Sequence, residues 1–180
     1  GSDDNTALLA SRGGALVLSH VEPKGYEASI SDGFAEAYRQ GADIFVTCDA
    51  DGQHRSDHIA AVVEPILSAK ADVSLGERSG RMHMGEKVFA VYTRLYFGIN
   101  DPLCGLKAYH RRVYETIGHF DTLQSVGTQL MIEAKRRGFR IAFVPITVEA
   151  REDESRYYAQ RLRATWTVLK AMARVAFFAK

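Results

Sequence analysis

The chain has 180 residues, of which 46% are hydrophobic and 25% are charged, and its formal net charge at pH 7 is +1. This length suits one domain with one hydrophobic core, and so small a net charge gives no support to a nucleic-acid partner. The sequence has neither a run of ~18 apolar residues, as a membrane-spanning helix needs, nor a visible signal peptide. Its two cysteines, Cys48 and Cys104, lack metal-ligand spacing. We therefore expect reduced thiols and a cytoplasmic location.

The first half of the chain alternates apolar segments of strand length with amphipathic segments of helix length. We expect helices over 6–12, 25–40 and 56–67, and strands over 15–19, 44–48 and 72–75. Ser2, Asp3 or Asp4 would cap the first helix, and Gly41 would end the second. Strands and helices that alternate at this spacing predict a parallel sheet with crossover helices.

The second half is less regular. We expect helices over 86–97, 111–117, 129–137 and 157–178, an extended piece over 104–109 and a strand over 140–148. The glycine-rich segment 76–85 predicts a mobile loop, of the kind that closes over a substrate to exclude water.

Two acidic residues, Asp49 and Asp51, follow the apolar segment 44–48, and Gly52 comes next. Residues i and i+2 of a strand point to the same side, so both carboxylates can aim at one point beyond the strand end. Ligands of open α/β sheets bind in that crevice, and two hard oxygen donors suit Mg²⁺ or Mn²⁺ bridging to a diphosphate. A strand followed by an Asp-Gly turn with solvated acids explains the segment equally well.

Four patches of the chain, taken in order, carry a family resemblance. They are residues 1–6, residues 25–33, the Asp-Ala-Asp-Gly-Gln string at 49–53, and a set that runs from 76–78 through 101–107 and 144–146 to 151–156. Together they resemble family 2 glycosyltransferases of the GT-A fold, and most closely the dolichyl-phosphate mannose synthase and polyprenyl-phosphate glycosyltransferase branch. The chain departs from that pattern in two ways. The family's first βα unit, whose loop holds the nucleotide base, is absent before Gly1, and Gln129 stands where the family carries an acid, with Glu133 one helical turn later.

The resemblance implies an α/β, Rossmann-like GT-A catalytic domain over 1–156, with a mostly parallel sheet and flanking helices. A long amphipathic helix over 157–180 would follow it. The implied activity is inverting, metal-dependent transfer of a hexose from a GDP- or UDP-linked sugar to an acceptor. The acceptor would be a polyprenyl phosphate of the dolichyl type, as in the synthesis of cell-envelope glycans.

The resemblance also assigns site residues. Asp49 and Asp51 would hold Mg²⁺ or Mn²⁺ and, with Arg78, form the catalytic group. The donor would contact Asp3, Gly25, Asp49, Asp51 and Gln53, and the acceptor would contact Asp101, Gly105, Arg151, Ser155 and Arg156. Three of these segments also have plainer explanations: a surface arginine at 78, a turn at 100–102, and a solvated run of mixed charge at 151–156.

The missing acid at Gln129 bears on the acceptor. A phosphate is already an anion at neutral pH, so it needs cations that position it and no base that deprotonates it. A hydroxyl acceptor would need a base, and this sequence offers only doubtful ones. If the acceptor is a lipid phosphate, as the resemblance implies, the reaction does not require an acid at position 129, and Gln129 is compatible with activity.

The last helix combines an apolar stripe that contains Trp166 with a cationic face that contains Arg163, Lys170 and Arg174. That pattern is typical of a helix at a membrane interface, and equally of a helix docked on its own domain. We therefore expect peripheral contact through 157–180 with the cytoplasmic face of a membrane.

Two alternatives to this function remain open at the level of sequence. One is a non-catalytic or inactive GT-A-like fragment or binding protein. The other is a nucleotidyltransferase of similar fold, in which the paired acids serve different chemistry.

Overall fold

The structure is a computed structural model that describes residues 1–52, 54–79, 84–147 and 161–178, with side chains over 165–177 in the last range. Seven helices lie within these residues: α1 (Thr6–Arg12), α2 (Tyr26–Arg39), α3 (Ser56–Leu67), α4 (Met84–Phe97), α5 (Arg111–Ile117), α6 (Gln129–Arg136) and α7 (Arg161–Phe178). Four strands complete the described part of the chain: β1 (Ile44–Thr47), β2 (Val73–Arg78), β3 (Lys107–His110) and β4 (Ile141–Ile146).

The four strands form one mixed sheet in the order β1-β3-β2-β4. β3 runs antiparallel to both β1 and β2, whereas β4 runs parallel to β2. Three strands therefore share one direction, and the α/β class with helices between parallel strands is confirmed. The alternating pattern did not reveal that β3 inserts between β1 and β2, because strand order depends on pairing between distant segments.

The predicted strand over 15–19 is wrong. These residues carry no regular secondary structure and lie outside the sheet. Leu16 is 70% exposed and Leu18 is 45% exposed, so the apolar run buries little. An extended segment is stable only when a neighbouring strand pairs with its backbone, and the described residues supply no such neighbour.

The predicted helices are confirmed to within a few residues where the structure describes them, and residues 157–160 of the predicted last helix lie outside that part. The predicted cap of α1 is displaced, because the residue at the N-cap is Asn5, which makes no side-chain cap hydrogen bond. Asp4 Oδ1, one residue earlier, accepts the Thr6 N–H at 2.9 Å. Gly41 adopts a φ of +83° just after α2, a conformation that favours glycine. The predicted loop over 76–85 is too long, because β2 continues to Arg78 and α4 begins at Met84.

Each face of the sheet is covered by helices. Side chains alternate between the faces, so Val73 and Leu75 join the larger core cluster while Leu106 and Ala108 join the smaller one. α3 covers the smaller cluster through Val62 and Ile66. Residues from α2, α4, α5, α6 and α7 form the larger cluster with the other face. The sheet is thus the middle of three layers, with its strand ends open at the edges.

α7 packs into the same core as the rest of the chain. Val168, Ala171 and Val175 are buried, and a β-carbon on Gly85 of α4 would lie 3.1 Å from Thr165 Cα. Among the described residues, no helix combines the length and the apolar character that a bilayer crossing requires.

Candidate functional site

The two acids that follow β1 lie at one edge of the sheet. β1 and β2 run in the same direction, so their carboxyl ends meet at that edge together with the start of the antiparallel β3. Thr47, the last residue of β1, donates its hydroxyl to the carbonyl of Gly105 at 2.7 Å. This buried bond fixes the position from which Asp49 and Asp51 continue.

The carboxylate of Asp49 rests on the backbone of Gly105. A β-carbon on Gly105 would lie 2.0 Å from Asp49 Oδ2 and 2.4 Å from Asp49 Cγ, far inside van der Waals contact. Only glycine leaves room for this carboxylate. The resemblance assigned Gly105 to the acceptor, and in the structure the group that approaches it is the carboxylate of Asp49.

Asp49 is half-buried and Asp51 is exposed. Both charges act on the pKa of His54, as does the charge of Arg78, so the two carboxylates share one neighbourhood. Burial lowers the pKa of His54 against the opposing effect of the two acids, and this keeps the imidazole neutral at neutral pH. Its Nδ1 is buried and has no hydrogen-bond partner among the described residues.

The donor set fits a hard divalent cation. The described residues contain no group of three or more His, Cys, Asp or Glu side chains that could enclose a metal. Mg²⁺ in phosphate-binding sites is typically held by one or two carboxylates, with the remaining positions taken by water and substrate phosphates. Asp49 and Asp51 match that incomplete, substrate-completed type of site.

Arg78, at the end of β2, forms a two-point ion pair with Asp101. Its Nε and one terminal nitrogen each lie 2.7 Å from a carboxylate oxygen of Asp101, and its backbone N–H also donates to Asp101 at 3.1 Å. Glu86, buried in the first turn of α4, lies 3.7 Å from the same guanidinium. Arg78 was expected in the catalytic group and Asp101 at the acceptor. In the structure the two side chains belong to one network, which links β2 to α4 through Glu86.

Lys107 is a buried charge that the sequence analysis did not single out. It is 3% exposed, donates from Nζ to the carbonyl of Gly127 at 2.9 Å, and lies in the fields of Asp49 and Asp101. Burial lowers the pKa of this lysine. The sequence did contain a signal of this burial, because Lys107 is a charged residue inside the apolar run 104–109.

Cys104 is inert as a nucleophile at this edge. Burial, together with the neighbouring charge of Asp101, raises the pKa of its thiol to about 11. The thiol therefore remains protonated at neutral pH.

The remaining predicted donor residues are not part of β1 or of the segment that follows it. Asp3 is exposed just before α1. Gly25 precedes α2 with a φ of +89°, which places Tyr26 at the helix start. Burial and then the charge of Asp49 raise the pKa of Tyr26, so the start of α2 lies within the electrostatic reach of Asp49. Gln53, Arg151, Ser155 and Arg156 lie outside the described residues.

Gln129 and Glu133 contact each other inside the protein. The Gln129 amide donates to Glu133 at 2.7 Å, and its oxygen accepts N–H groups from Thr122 and Leu123. Glu133 is 2% exposed, and its Oε1 also lies 3.3 Å from His119 Nε2. Glu133 is therefore packed into the protein and is not presented to solvent as a replacement acid.

Comparison with known proteins agrees with this geometry. The sequence pattern that defines glycosyl transferase family 2 matches residues 1–126. The chain is 29% identical over 145 residues to the UDP-N-acetylglucosamine--dolichyl-phosphate N-acetylglucosaminyltransferase of Methanococcus voltae, covering 73% of this chain and 58% of that protein. It is 29% identical over 174 residues to the polyprenol monophosphomannose synthase of Mycolicibacterium smegmatis, covering 84% of this chain and 65% of that protein. The chain thus spans less than two thirds of either relative.

Among solved structures, the fold resembles glucosyl-3-phosphoglycerate synthase from Mycobacterium tuberculosis, in a complex with Mn²⁺ and UDP-glucose. The TM-score is 0.72 at 20% sequence identity, covering 98% of this chain and 66% of that one. The likeness confirms the expected GT-A fold, and the pattern match covers well over half of the sequence. The chain therefore belongs to glycosyl transferase family 2.

Proposed function

We propose that the protein transfers a hexose from a nucleoside-diphosphate sugar to a polyprenyl phosphate, with inversion at the anomeric carbon. The observation that carries the proposal is the contact between the Asp49 carboxylate and the backbone of Gly105, at the edge where β1 and β2 end. The exposed Asp51 follows two residues later. Relatives named as dolichyl-phosphate and polyprenol sugar transferases support this substrate class. The reaction would take place at the cytoplasmic face of a membrane, where such an acceptor is anchored.

The paired acids would bind the donor's diphosphate through a divalent cation. Mg²⁺ or Mn²⁺, when bound, would act as a Lewis acid that supports the departure of the nucleoside diphosphate. The exposed Asp51 is our choice for the direct ligand, and Asp49, held by Gly105, would share the cation or reach the ribose. Gln53, Asp3 and Gly25 would complete the donor site.

Neighbouring groups would orient the sugar and the diphosphate. His54, as a neutral imidazole, would contact the diphosphate or the acceptor. Arg78 would act electrostatically at this edge, held in orientation by Asp101 and Glu86. Asp101 and Gly105 would then shape the acceptor side indirectly, through Arg78 and Asp49.

The acceptor would be a phosphate, because the described residues of α6 offer no carboxylate base to solvent. Glu133 is buried, and Gln129, which forms no charge, is bonded at both ends of its amide. A phosphate needs positioning by cations and no proton removal. Arg151, Ser155 and Arg156 would supply that contact.

Calorimetry with UDP-glucose and GDP-mannose in the presence of Mn²⁺ tests the proposal. The chain should bind one of them in a manner that EDTA abolishes, and Asp51→Asn should remove the metal-dependent part while leaving the unfolding curve unchanged. Asp43→Asn is the matched control, since Asp43 is an exposed acid just before the other end of β1. Binding by Asp51→Asn with unchanged affinity would refute the assignment.

A further inference from the structure

Tyr26 is an aromatic residue near the paired acids, and the resemblance assigns it no role. It begins α2, directly after Gly25, and is 42% exposed. Burial and then the charge of Asp49 raise the pKa of its hydroxyl. The hydroxyl is therefore the enclosed end of the side chain, within the electrostatic reach of Asp49, while the rest of the residue meets solvent.

The hydroxyl of Tyr26 is an unused hydrogen-bond donor. It makes no hydrogen bond within the described part of the chain. The raised pKa keeps the phenol protonated at neutral pH, so its proton remains available to an acceptor. A tyrosine whose hydroxyl is enclosed usually gives that hydroxyl a partner. An enclosed donor of this kind beside Asp49 therefore indicates an acceptor atom that a ligand brings.

A second hydroxyl without a partner lies nearby. Tyr109 of β3 is fully buried, and its Oη has no hydrogen-bond partner among the described residues. Burial and then the presence of Tyr26 raise the pKa of Tyr109, so the two phenols lie near each other. The polar groups at the start of α2 are thus completed from outside the described residues.

The ring of Tyr26 packs on the backbone of Gly127. A β-carbon on Gly127 would lie 3.4 Å from both Cε1 and Oη of Tyr26, and 3.2 Å from Phe120 Cζ. Gly127 also has a φ of +67°, a conformation that favours glycine. Glycine at this position therefore leaves the room in which the phenol lies.

Gly127 is held from two sides. Its N–H donates to Asp121 at 2.9 Å, and its carbonyl accepts the buried ammonium of Lys107 at 2.9 Å. The preceding Val126 has a φ of +55°, which is rare for a β-branched residue. Backbone strain of this kind persists only where the surroundings enforce it, and it clusters at ligand sites. The buried charge of Lys107 thus fixes the backbone that supports the Tyr26 ring.

We propose that Tyr26 is a donor-binding residue, whose hydroxyl donates a hydrogen bond to an oxygen of the bound nucleoside-diphosphate sugar. This inference rests on the proposed function and adds a specific contact to its donor site. Asp49 is the neighbour that the phenol shares with the divalent cation, so the acceptor oxygen belongs to the part of the donor next to the cation. That part comprises the diphosphate and the sugar, and both supply oxygens that accept from a hydroxyl.

Tyr26→Phe tests the proposal, because it removes the hydroxyl and keeps the ring. Calorimetry with Mn²⁺ compares UDP-glucose with UDP, and GDP-mannose with GDP. For whichever pair the wild type binds, the Kd of the sugar nucleotide should rise about tenfold, as expected for one lost hydrogen bond to a ligand oxygen. An equal rise for the bare nucleotide would identify the diphosphate as the acceptor, and a rise for the sugar nucleotide alone would identify the sugar. Unchanged affinity for both ligands would overturn the proposal.

Tyr38→Phe is the matched control. Tyr38 lies in the same helix, is 37% exposed, and has the Arg111 guanidinium over its ring at 4.2 Å. This variant should keep the wild-type Kd. The urea unfolding curve of Tyr26→Phe should match that of the wild type, which separates a lost ligand contact from a lost fold.

A second pair of variants tests the position of the ring. In Gly127→Ala the new methyl group would meet Tyr26, and displacement of the hydroxyl should raise the Kd of the sugar nucleotide by about tenfold or more. Gly118→Ala is its control, since Gly118 has a φ of +86° but an added β-carbon would meet nothing within 4 Å. That change should strain the backbone in the same way and leave the Kd unchanged. Wild-type affinity in Gly127→Ala would also overturn the proposal, because the hydroxyl would then not act from the position that Gly127 gives it.

The outcome is distinguishable from that of the proposed function. Metal-dependent nucleotide binding by the wild type, with the same Kd in Tyr26→Phe, would remove Tyr26 from the donor site and keep the transferase assignment. Absence of any metal-dependent nucleotide binding by the wild type would remove the proposed function, and this inference with it.

Discussion

Arg78 and Asp101 are 23 residues apart in sequence, yet the guanidinium of one and the carboxylate of the other meet through two bonds of 2.7 Å. Asp101 is 3% exposed at its side chain and Arg78 is 27% exposed, so the pair is largely shielded from water. Such a shielded ion pair adds little to the free energy of unfolding while it is intact. Removing one partner lowers that free energy strongly, because the other charge remains buried.

We therefore predict that Arg78→Ala destabilises the protein by about 3 kcal/mol, as a lost partner of a buried acid does. Urea unfolding measures the change. Lys70→Ala is the control, because Lys70 and Glu64 form an exposed pair at 4.0 Å whose loss should cost under about 1 kcal/mol. If Arg78→Ala kept full stability and lost nucleotide affinity instead, Arg78 would act on the diphosphate directly and not through Asp101.

Gly105→Ala should weaken metal-dependent donor binding by about ten- to a hundredfold, the usual effect of disturbing the support of a metal ligand. The new methyl group would fall 2.0 Å from Asp49 Oδ2 and push the carboxylate away. Calorimetry with UDP-glucose and Mn²⁺ measures the loss.

Gly33→Ala provides the control for this substitution. Gly33 lies inside α2, and an added β-carbon would meet nothing within 4 Å. That change should leave binding intact and stabilise the helix by about 0.5–1 kcal/mol. Donor binding by Gly105→Ala at the wild-type level would show that the role of Asp49 does not depend on its contact with Gly105.

The stability of the protein should fall in acid through Asp72, which is 4% exposed and lies at the amino end of β2. Burial acts to raise the pKa of Asp72, but hydrogen bonds from Arg140 and Arg112 outweigh it and lower the pKa from 3.8 to about 2. A depressed carboxylate pKa stabilises the folded state above the unfolded pKa. That stabilisation, about 2 kcal/mol, is lost as the pH falls from near 4 towards 2.

Urea unfolding of the wild type and of Asp72→Asn at several pH values checks this prediction. The difference in free energy of unfolding between them should be largest at neutral pH and shrink as Asp72 takes up its proton. A difference that stays constant from pH 7 to pH 2 would mean that Asp72 is not the titrating group.

Arg156→Ala should raise the KM for a polyprenyl-phosphate acceptor far more than the KM for the sugar nucleotide, because a phosphate contact is lost and the donor site is untouched. Steady-state kinetics with each substrate varied in turn measures both constants. Arg137→Ala, an exposed arginine after α6, is the control. Equal increases in both constants would contradict the acceptor role of Arg156.

Part of the site was predictable because it is local. The pattern of apolar residues over 44–48 predicted β1, which ends at Thr47. Asp49 and Asp51 lie just beyond the strand, and their approach to one point stays a prediction. The resemblance to family 2 glycosyltransferases is confirmed by the pattern match over residues 1–126, and the role of the two acids in that chemistry stays a proposal.

The burial of Lys107 and the exposure of one side of α4 were not predictable in the same way. The apolar period of α4 shows that one face is buried, yet whether Val91 and Leu95 meet the core or the solvent depends on where α7 packs. Lys107 lies in a strand whose two neighbours come from distant parts of the chain, and only that pairing encloses its ammonium group.

The sequence by itself determined the helices, three of the strands that follow them and the presence of two acids just after β1, since hydrophobic periodicity is a local property of the chain. Tertiary structure alone decided that β3 enters between β1 and β2, that Gly105 meets Asp49 and that the apolar run at 15–19 stays outside the sheet. The physical reason is that strand pairing and burial are settled by contacts between distant segments, whose free energies no short stretch of residues contains.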